Sequence, residues 1–299
     1  MRLATIRTQD GPRLHVRTSD GGYADLAEHT GEPGHCDLVR FLRAGPAAMD
    51  AAREVARTAA GPRYEPDDFG PAVPDPGRVW CVGVNYSEHA IEGGREVPSW
   101  PEAFTRSSNT VTGPYADLVR PALTTKFDYE GELGIVIGAG GRYIPAGDAL
   151  DAIAGFTVLN DATARDWQRA GTQWTPGKNF DGTMPIGPEI VTPDEVGWAD
   201  LELTTTLNGQ VMQRARTSQM LVDVPATVEF FSSFTTLRPG DVIATGTPGG
   251  VGFARTPPVW LRPGDVVEVT VEGIGTIRNR VVAESADRSG WRWRPGTPG

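Results

Sequence analysis

One eleven-residue stretch constrains the fold of this chain more than any other: Asp128-Tyr129-Glu130-Gly131-Glu132-Leu133-Gly134-Ile135-Val136-Ile137-Gly138. Leu133 to Ile137 is apolar and β-branched and is bounded by glycines, the pattern of a buried strand. Glu130 and Glu132 stand just before it. On an extended chain, residues two apart share a face. Two carboxylates on one face beside an apolar run repel each other and are costly to desolvate. A divalent cation is the simplest partner that would hold them there, because Mg²⁺, Mn²⁺ and Ca²⁺ take oxygen ligands. Two solvated glutamates at an exposed strand end are the alternative.

Composition agrees with a chain of many turns and short strands. Its 299 residues include 37 glycines and 25 prolines, about a fifth of the total. The net charge of −10 and the absence of any basic run argue against nucleic acid as a partner. No apolar run approaches the roughly 18 residues needed to span a membrane. The segment from Met1 to Arg7 lacks the apolar core of a signal peptide. Cys36 and Cys81 have no C-x-x-C spacing, so neither a zinc knuckle nor a redox pair is implied. A reduced, cytoplasmic protein is the expectation.

Short runs separated by Gly11-Pro12 and Gly21-Gly22 predict a small antiparallel sheet over residues 1–28. Residues 37–60 predict one or two helices broken at Gly45-Pro46. Five prolines between 62 and 76 read as a linker and place a boundary near residue 75. This gives a small N-terminal α/β domain (1–75), a larger domain (76–284) and a flexible tail (285–299). In the larger domain Val79–Asn85 reads as a second buried strand and Gly155–Leu159 as a third. Asn208-Gly209 between alternating runs is the strongest hairpin signal. Val222–Phe234 reads as an amphipathic helix with Pro225 in its first turn. Leu-Arg-Pro-Gly-Asp-Val occurs at 237–242 and again at 261–266, two similar turn-plus-strand units.

Four places could carry chemistry. His89 and Glu92, three apart on a helical turn, could form an acid/base pair in which the carboxylate orients the imidazole. The glycines that follow, and the stretch to Pro101, would suit a lid. Asp161 ends a strand and is either a third metal ligand or a helix cap. Arg165 and Gln168 fall on its face. Arg106 either pairs with a substrate carboxylate or is a surface arginine. The glycine- and proline-rich loop 175–188 carries Lys178, which could hold an oxyanion or be solvated. The loop 245–252 could bind a carboxylate through backbone N–H groups and Thr247, or could be a plain turn.

Together these motifs resemble the fumarylacetoacetate hydrolase family. The resemblance covers about residues 77–282. It rests on Asn85-Tyr86-x-x-His89-x-x-Glu92, Asp128-Tyr129-Glu130-Gly131-Glu132-Leu133, Asn160-Asp161-x-x-x-Arg165-Asp166-x-Gln168, Gly177-Lys178-x-Phe180-Asp181-Gly182, and Thr245-Gly246-Thr247-Pro248-Gly249-Gly250. It implies an α+β, mostly β fold with a mixed β-roll catalytic domain, and a homodimer. It implies Mg²⁺ or Mn²⁺ on Glu130, Glu132 and Asp161, and a small 2-oxo or β-diketo acid as substrate. By the resemblance, His89 oriented by Glu92 activates water, Lys178 stabilises an oxyanion, and Arg165, Gln168 and Thr247 position the substrate. Activities in the family it resembles are C–C hydrolysis of acylpyruvates, decarboxylation of oxaloacetate and isomerisation of catechol-pathway acids. The expected activity is metal-dependent C–C hydrolysis, with decarboxylation or isomerisation of a 2-oxo acid, or a repurposed binding protein, as alternatives. Arg106 departs from the lysine that many relatives carry there, which favours a carboxylate clamp over proton donation. Trp100, Trp167 and Trp174 are expected near an apolar pocket.

Overall fold

The computed structural model describes residues 1–285; the stretch 286–299, most of the expected tail, lies outside the described residues. Strands outweigh helices. One large mixed sheet contains β1 (Arg2–Thr8), β2 (Gly11–Arg17), β3 (Tyr23–Asp25), β4 (Val79–Val82), β5 (Ala103–Arg106), β9 (Gly131–Ile137), β10 (Ile153–Asn160), β12 (Met184–Val191) and β15 (Val242–Ala244). They run in the order β3-β2-β1-β12-β10-β9-β15-β4-β5. The short β6 (Val111–Thr112) pairs with β12. A second sheet contains β7 (Leu118–Arg120), β13 (Glu202–Leu207), β14 (Gln210–Arg216), β16 (Val266–Val271) and β17 (Gly275–Ala283), in the order β14-β13-β16-β17-β7. A two-stranded ribbon joins β8 (Phe127–Asp128) to β11 (Thr163–Ala164).

The apolar run in β9 follows from burial on both faces. Leu133, Ile135 and Ile137 enter the core between the two sheets, with Phe156 and Val158 of β10 and Leu203, Val267 and Val269 of the second sheet. Val136 points the other way, into a core shared with Leu38, Phe41 and Leu42. Glu130 and Glu132 belong to the Val136 face by the same alternation. Gly131 lies on the inter-sheet face, where a Cβ would collide with Thr205 Oγ1 and a Val269 methyl.

Residues 1–75 contribute β1–β3 and three helices, α1 (Leu26–Thr30), α2 (Leu38–Arg43) and α3 (Pro46–Thr58). Their strands join the rest of the sheet through β1, whose Leu3 pairs with Ile190 of β12. The expected helix break is there, with Gly45 in the left-handed region at φ 77°. The hairpin at Asn208-Gly209 has both residues at positive φ, 53° and 80°, as a primed two-residue turn requires. Residues 184–188, expected as loop from their prolines, instead begin the fully buried central strand β12. The ladder accommodates Pro188 because β10–β12 pairing is irregular between Phe156, opposite Val191, and Val158, opposite Gly187; Pro185 lies beyond that ladder, beside Thr112 of the short β6.

Among the described residues there are five further α-helices: α4 (Ser87–Glu92), α5 (Ala149–Ala152), α6 (Arg165–Gln168), α7 (Thr175–Lys178) and α8 (Val224–Phe234). Asp223 caps α8 by accepting the Ala226 N–H at 2.9 Å, which places Pro225 in the first turn.

Candidate metal and acid–base site

The antiparallel register of β9 and β10 builds the centre of the site. Glu132 lies opposite Leu159 and Gly131 opposite Asn160. One step further, the Asp161 N–H donates to the Glu130 carbonyl at 2.8 Å. Opposed residues of neighbouring strands share a face, so Glu130, Glu132 and Asp161 converge. Each offers an oxygen within 4.8 Å of the others, and all three are buried.

Their charges are met unequally. Glu130 pairs with Arg165 Nη1 at 2.6 Å and Lys178 Nζ at 2.6 Å. Asp161 pairs with Lys178 at 2.6 Å and with Arg106. Glu132 accepts only the Gly246 N–H, at 2.7 Å, and has no ion pair among the described residues. Burial would raise the pKa of Glu130, but Arg165 and Lys178 outweigh it and hold the carboxyl below its ordinary range. For Glu132, burial and then the charges of Asp161 and Glu130 push the pKa well up. Lys178 is pulled down by burial, yet Asp161 and Glu130 raise it overall, so it stays an ammonium. Three buried carboxylates, one lacking a cation, fit a hard divalent ion in donor type and charge. The triad could therefore hold the metal that the sequence implies.

The acid–base pair lies on α4. His89 Nδ1 stands 2.8 Å from Glu92 Oε1, and Glu92 Oε2 accepts the Gly250 N–H at 2.7 Å. A carboxylate only accepts, so Nδ1 carries the hydrogen and Nε2 keeps its lone pair. His89 lines a cavity of about 290 Å³ together with the triad, Arg165, Gln168, Lys178 and Thr247.

Of the ten candidate residues, Arg106 and Glu92 are absent from the cavity lining. Glu92 stands behind His89. Arg106, expected as a substrate clamp or a surface arginine, has a fully covered side chain whose donors go to Asp161, the Ala162 carbonyl at 3.2 Å and Thr183 Oγ1 at 2.6 Å. It braces a metal-ligand candidate. Thr247 Oγ1 donates to the Gly131 carbonyl at 3.0 Å and accepts from Gln213 Nε2 at 2.8 Å, tying the 245–252 loop to β9. Gln168 Oε1 accepts from Arg165 Nη1 at 3.1 Å. Of the three tryptophans only Trp174 lines the cavity, against Phe104. Trp100 is 72% exposed and packs on Phe230, and Trp167 packs on Phe180.

Sequence reasoning assigned no role to Asp128, Gln213, Arg169 or Phe253. Asp128 lay inside the quoted motif, and its position before the two glutamates was the available signal. Its Oδ2 accepts Arg165 Nε at 2.9 Å and the Phe253 N–H at 3.0 Å, while Oδ1 accepts the Gly252 N–H at 2.8 Å. Burial keeps its pKa above the ordinary range in spite of Arg165. Gln213 comes from the second sheet and had no signal of its own. Phe253 carries the guanidinium groups of both Arg165 and Arg169 over its ring, at 4.5 and 4.2 Å from the centroid.

The fold thus gathers a carboxylate triad and a His–Glu pair around one cavity. The model for the fumarylacetoacetate (FAA) hydrolase C-terminal domain matches residues 78–282. Among relatives, "Oxaloacetate tautomerase FAHD2A, mitochondrial" of Bos taurus is 41% identical over 91% of this chain and 88% of its own length. The protein of that name from Homo sapiens is 40% identical over 94% and 92%. Among solved structures, fumarylacetoacetate hydrolase from Exiguobacterium antarcticum superposes with TM-score 0.80 at 36% identity, covering 95% of this chain and all of that one. The 5-carboxymethyl-2-hydroxymuconate delta-isomerase from Mycobacterium smegmatis gives TM-score 0.74 at 36% identity, over 96% and 100%. The chain belongs to the fumarylacetoacetate hydrolase family. Among the described residues no helix is long and apolar enough to cross a membrane.

Proposed function

We propose that this protein is a metal-dependent enzyme that moves a proton between carbon and oxygen of a 2-oxo acid, a tautomerase or isomerase. The observation that carries the reading is the meeting of the unpaired Glu132 carboxylate and the His89–Glu92 pair in one cavity. When bound to the triad, a divalent cation would supply Lewis-acid polarisation of the ketone and carboxylate oxygens. His89 Nε2, oriented through the Nδ1 hydrogen bond to Glu92, takes the proton from the carbon beside the ketone and returns it to the enolate oxygen. Lys178 has three N–H groups, of which two go to Glu130 and Asp161. The third is left to stabilise the developing enolate oxygen. Arg165 Nη2 is buried without a hydrogen-bond partner, a donor suited to the substrate's carboxylate. The names of the mammalian relatives favour oxaloacetate-type tautomerisation over the hydrolysis expected from motifs alone.

Hydrolysis is the second reading. The likeness to the Exiguobacterium hydrolase favours it, and the same His89 could deprotonate water. Decarboxylation would start from the same polarised ketone. Mg²⁺ or Mn²⁺, a homodimer and a reduced compartment complete the proposal; Cys36 and Cys81 are both free thiols.

The test is enol–keto interconversion of oxaloacetate, followed by ultraviolet absorbance, beside pyruvate release and acylpyruvate cleavage. Each is run with Mg²⁺, with chelator and with His89→Ala. Fast interconversion without cleavage, lost about 10²-fold or more in His89→Ala, supports the tautomerase. Acylpyruvate cleavage lost in the same variant would replace it with the hydrolase. Metal-independent turnover would sink both.

A further inference from the structure

Arg169 follows α6 and stands at the mouth of the cavity. Every other cation that lines this cavity has a carboxylate partner. Lys178 has Glu130 and Asp161, Arg165 has Asp128 and Glu130, and Arg95 has Glu102 at 2.5 Å. Among the described residues Arg169 has none, and its guanidinium only stacks on Phe253. Partial burial and then the neighbouring Arg165 push its pKa down, against a smaller opposing pull from Asp128, which is itself ion-paired to Arg165.

Arg165 shares that ring and holds a second unmet demand, its buried Nη2. Two guanidinium groups against one phenyl ring are close enough for the two ends of one small acid. Arg165 is rooted beside the triad, where a 2-oxo acid would present its ketone and adjoining carboxylate. Arg169 is further out. A ligand with only one carboxylate would leave Arg169 uncompensated.

We propose that Arg169 is the specificity-determining residue of the site: it receives the distal carboxylate of a 2-oxo dicarboxylic acid and so selects diacids over 2-oxo monoacids. This rests on the 2-oxo acid reading above and adds to it the substrate's second charge. An arginine suits the role because its planar fork meets a carboxylate bidentately, and the Phe253 face keeps that fork in place. Glu130 and Asp161 are already paired deep in the cavity, Asp128 is held by Arg165 and Glu102 by Arg95, while Glu132 lies with the other two carboxylates of the triad, away from the outer position of Arg169.

The experiment compares wild type, Arg169→Gln and Arg169→Lys, loaded with Mg²⁺. The substrates are oxaloacetate and its methyl-ended analogue of equal length, 2-oxobutanoate. Hydrogen–deuterium exchange at C3, read by NMR, reports turnover of both acids. Calorimetry reports their binding independently of turnover. Wild type is expected to bind and exchange the diacid at least tenfold better, as one charge-assisted pair allows. Arg169→Gln is expected to lose most of that preference through KM, with 2-oxobutanoate unchanged, and Arg169→Lys to restore part of it. Equal affinities in wild type, or equal losses for both acids in Arg169→Gln, would overturn the assignment. Diacid-selective binding without exchange would instead overturn the enolisation reading and leave Arg169 as assigned.

Discussion

Glu132→Gln isolates the charge imbalance at the centre of the site. Glu132 has like-charged neighbours within 4.8 Å and no cation of its own. Two unit charges at that distance repel by about 3 kcal/mol at an effective dielectric near 20. Lys178, 2.6 Å from both neighbours, offsets part of this. Protonation sets a ceiling: the penalty grows by about 1.4 kcal/mol for each pH unit above the free glutamate value of about 4.3, so it cannot exceed roughly 4 kcal/mol at pH 7. The amide oxygen introduced by the substitution can still accept the Gly246 N–H. In chelator at pH 7 the variant should therefore be more stable than wild type by about 1–3 kcal/mol, several degrees in Tm. The sign follows from a folded-state pKa raised by burial and by Asp161 and Glu130. The two proteins should match below about pH 4.3, with wild type falling behind as pH rises. Adding Mg²⁺ or Mn²⁺ should reverse the order, since an ion at 100 times its Kd stabilises by about 2.7 kcal/mol and the variant lacks the ligand that needs it. Thermal melts from pH 4 to 8, with chelator and with metal, decide the matter. A variant that melts below wild type in chelator, or gains as much from metal, would refute the reasoning.

Two other substitutions probe the supports of the triad. Arg106→Met leaves buried Asp161 with Lys178 alone and should cost about 3–5 kcal/mol in urea unfolding, whereas Arg106→Lys keeps the charge but not the bonds to Thr183 and Ala162 and should cost about 1 kcal/mol. Gly177→Ala would place a Cβ within 2.6 Å of the N, Cα and Cβ of Gln168, forcing α7 and Lys178 away from α6; it should lower kcat tenfold or more while 2-oxo acid binding falls less.

What could be read from the chain was local. The β9 run was legible because its two cores make it apolar at nearly every position. The Asn208-Gly209 hairpin was legible because its turn admits few residues. The repeated Leu-Arg-Pro-Gly-Asp-Val also means one thing twice: Asp241 accepts the Arg238 N–H at 2.9 Å, and Asp265 accepts the Arg262 N–H at 2.7 Å. The convergence of Glu130, Glu132 and Asp161 needed only alternation and strand ends. The role of Arg106 was not legible, because its partner lies 55 residues away and strand register, not spacing, brings them together. Gln213 was missed for the same reason: it reaches from the second sheet to the Gly131 N–H at 3.0 Å and to Thr247. The prolines of β12 misled because glycine- and proline-rich composition reads as loop, whereas the irregular β10–β12 pairing tolerates Pro188 within a strand.

The unmet charges of the cavity answer one another. Glu132 lacks a cation and Arg169 an anion, Arg165 Nη2 lacks a hydrogen-bond partner, and all three residues line the same cavity. A divalent ion alone answers Glu132 but adds positive charge near two guanidinium groups. A dianion alone answers the guanidinium groups but adds negative charge near an unpaired carboxylate. Each should therefore bind poorly by itself and well with the other, and linkage makes that coupling reciprocal. Coupling of about 1–3 kcal/mol is the usual range, a change of roughly 5- to 150-fold in either affinity. Calorimetric titration of oxaloacetate with and without Mg²⁺, and of Mg²⁺ with and without oxaloacetate, should give the same factor, corrected for metal–acid association in solution. In Glu132→Gln the factor should shrink, because the carboxylate that joins the two halves of the balance is gone. Diacid binding in wild type that is indifferent to metal would show that the acidic and basic halves of this cavity act separately.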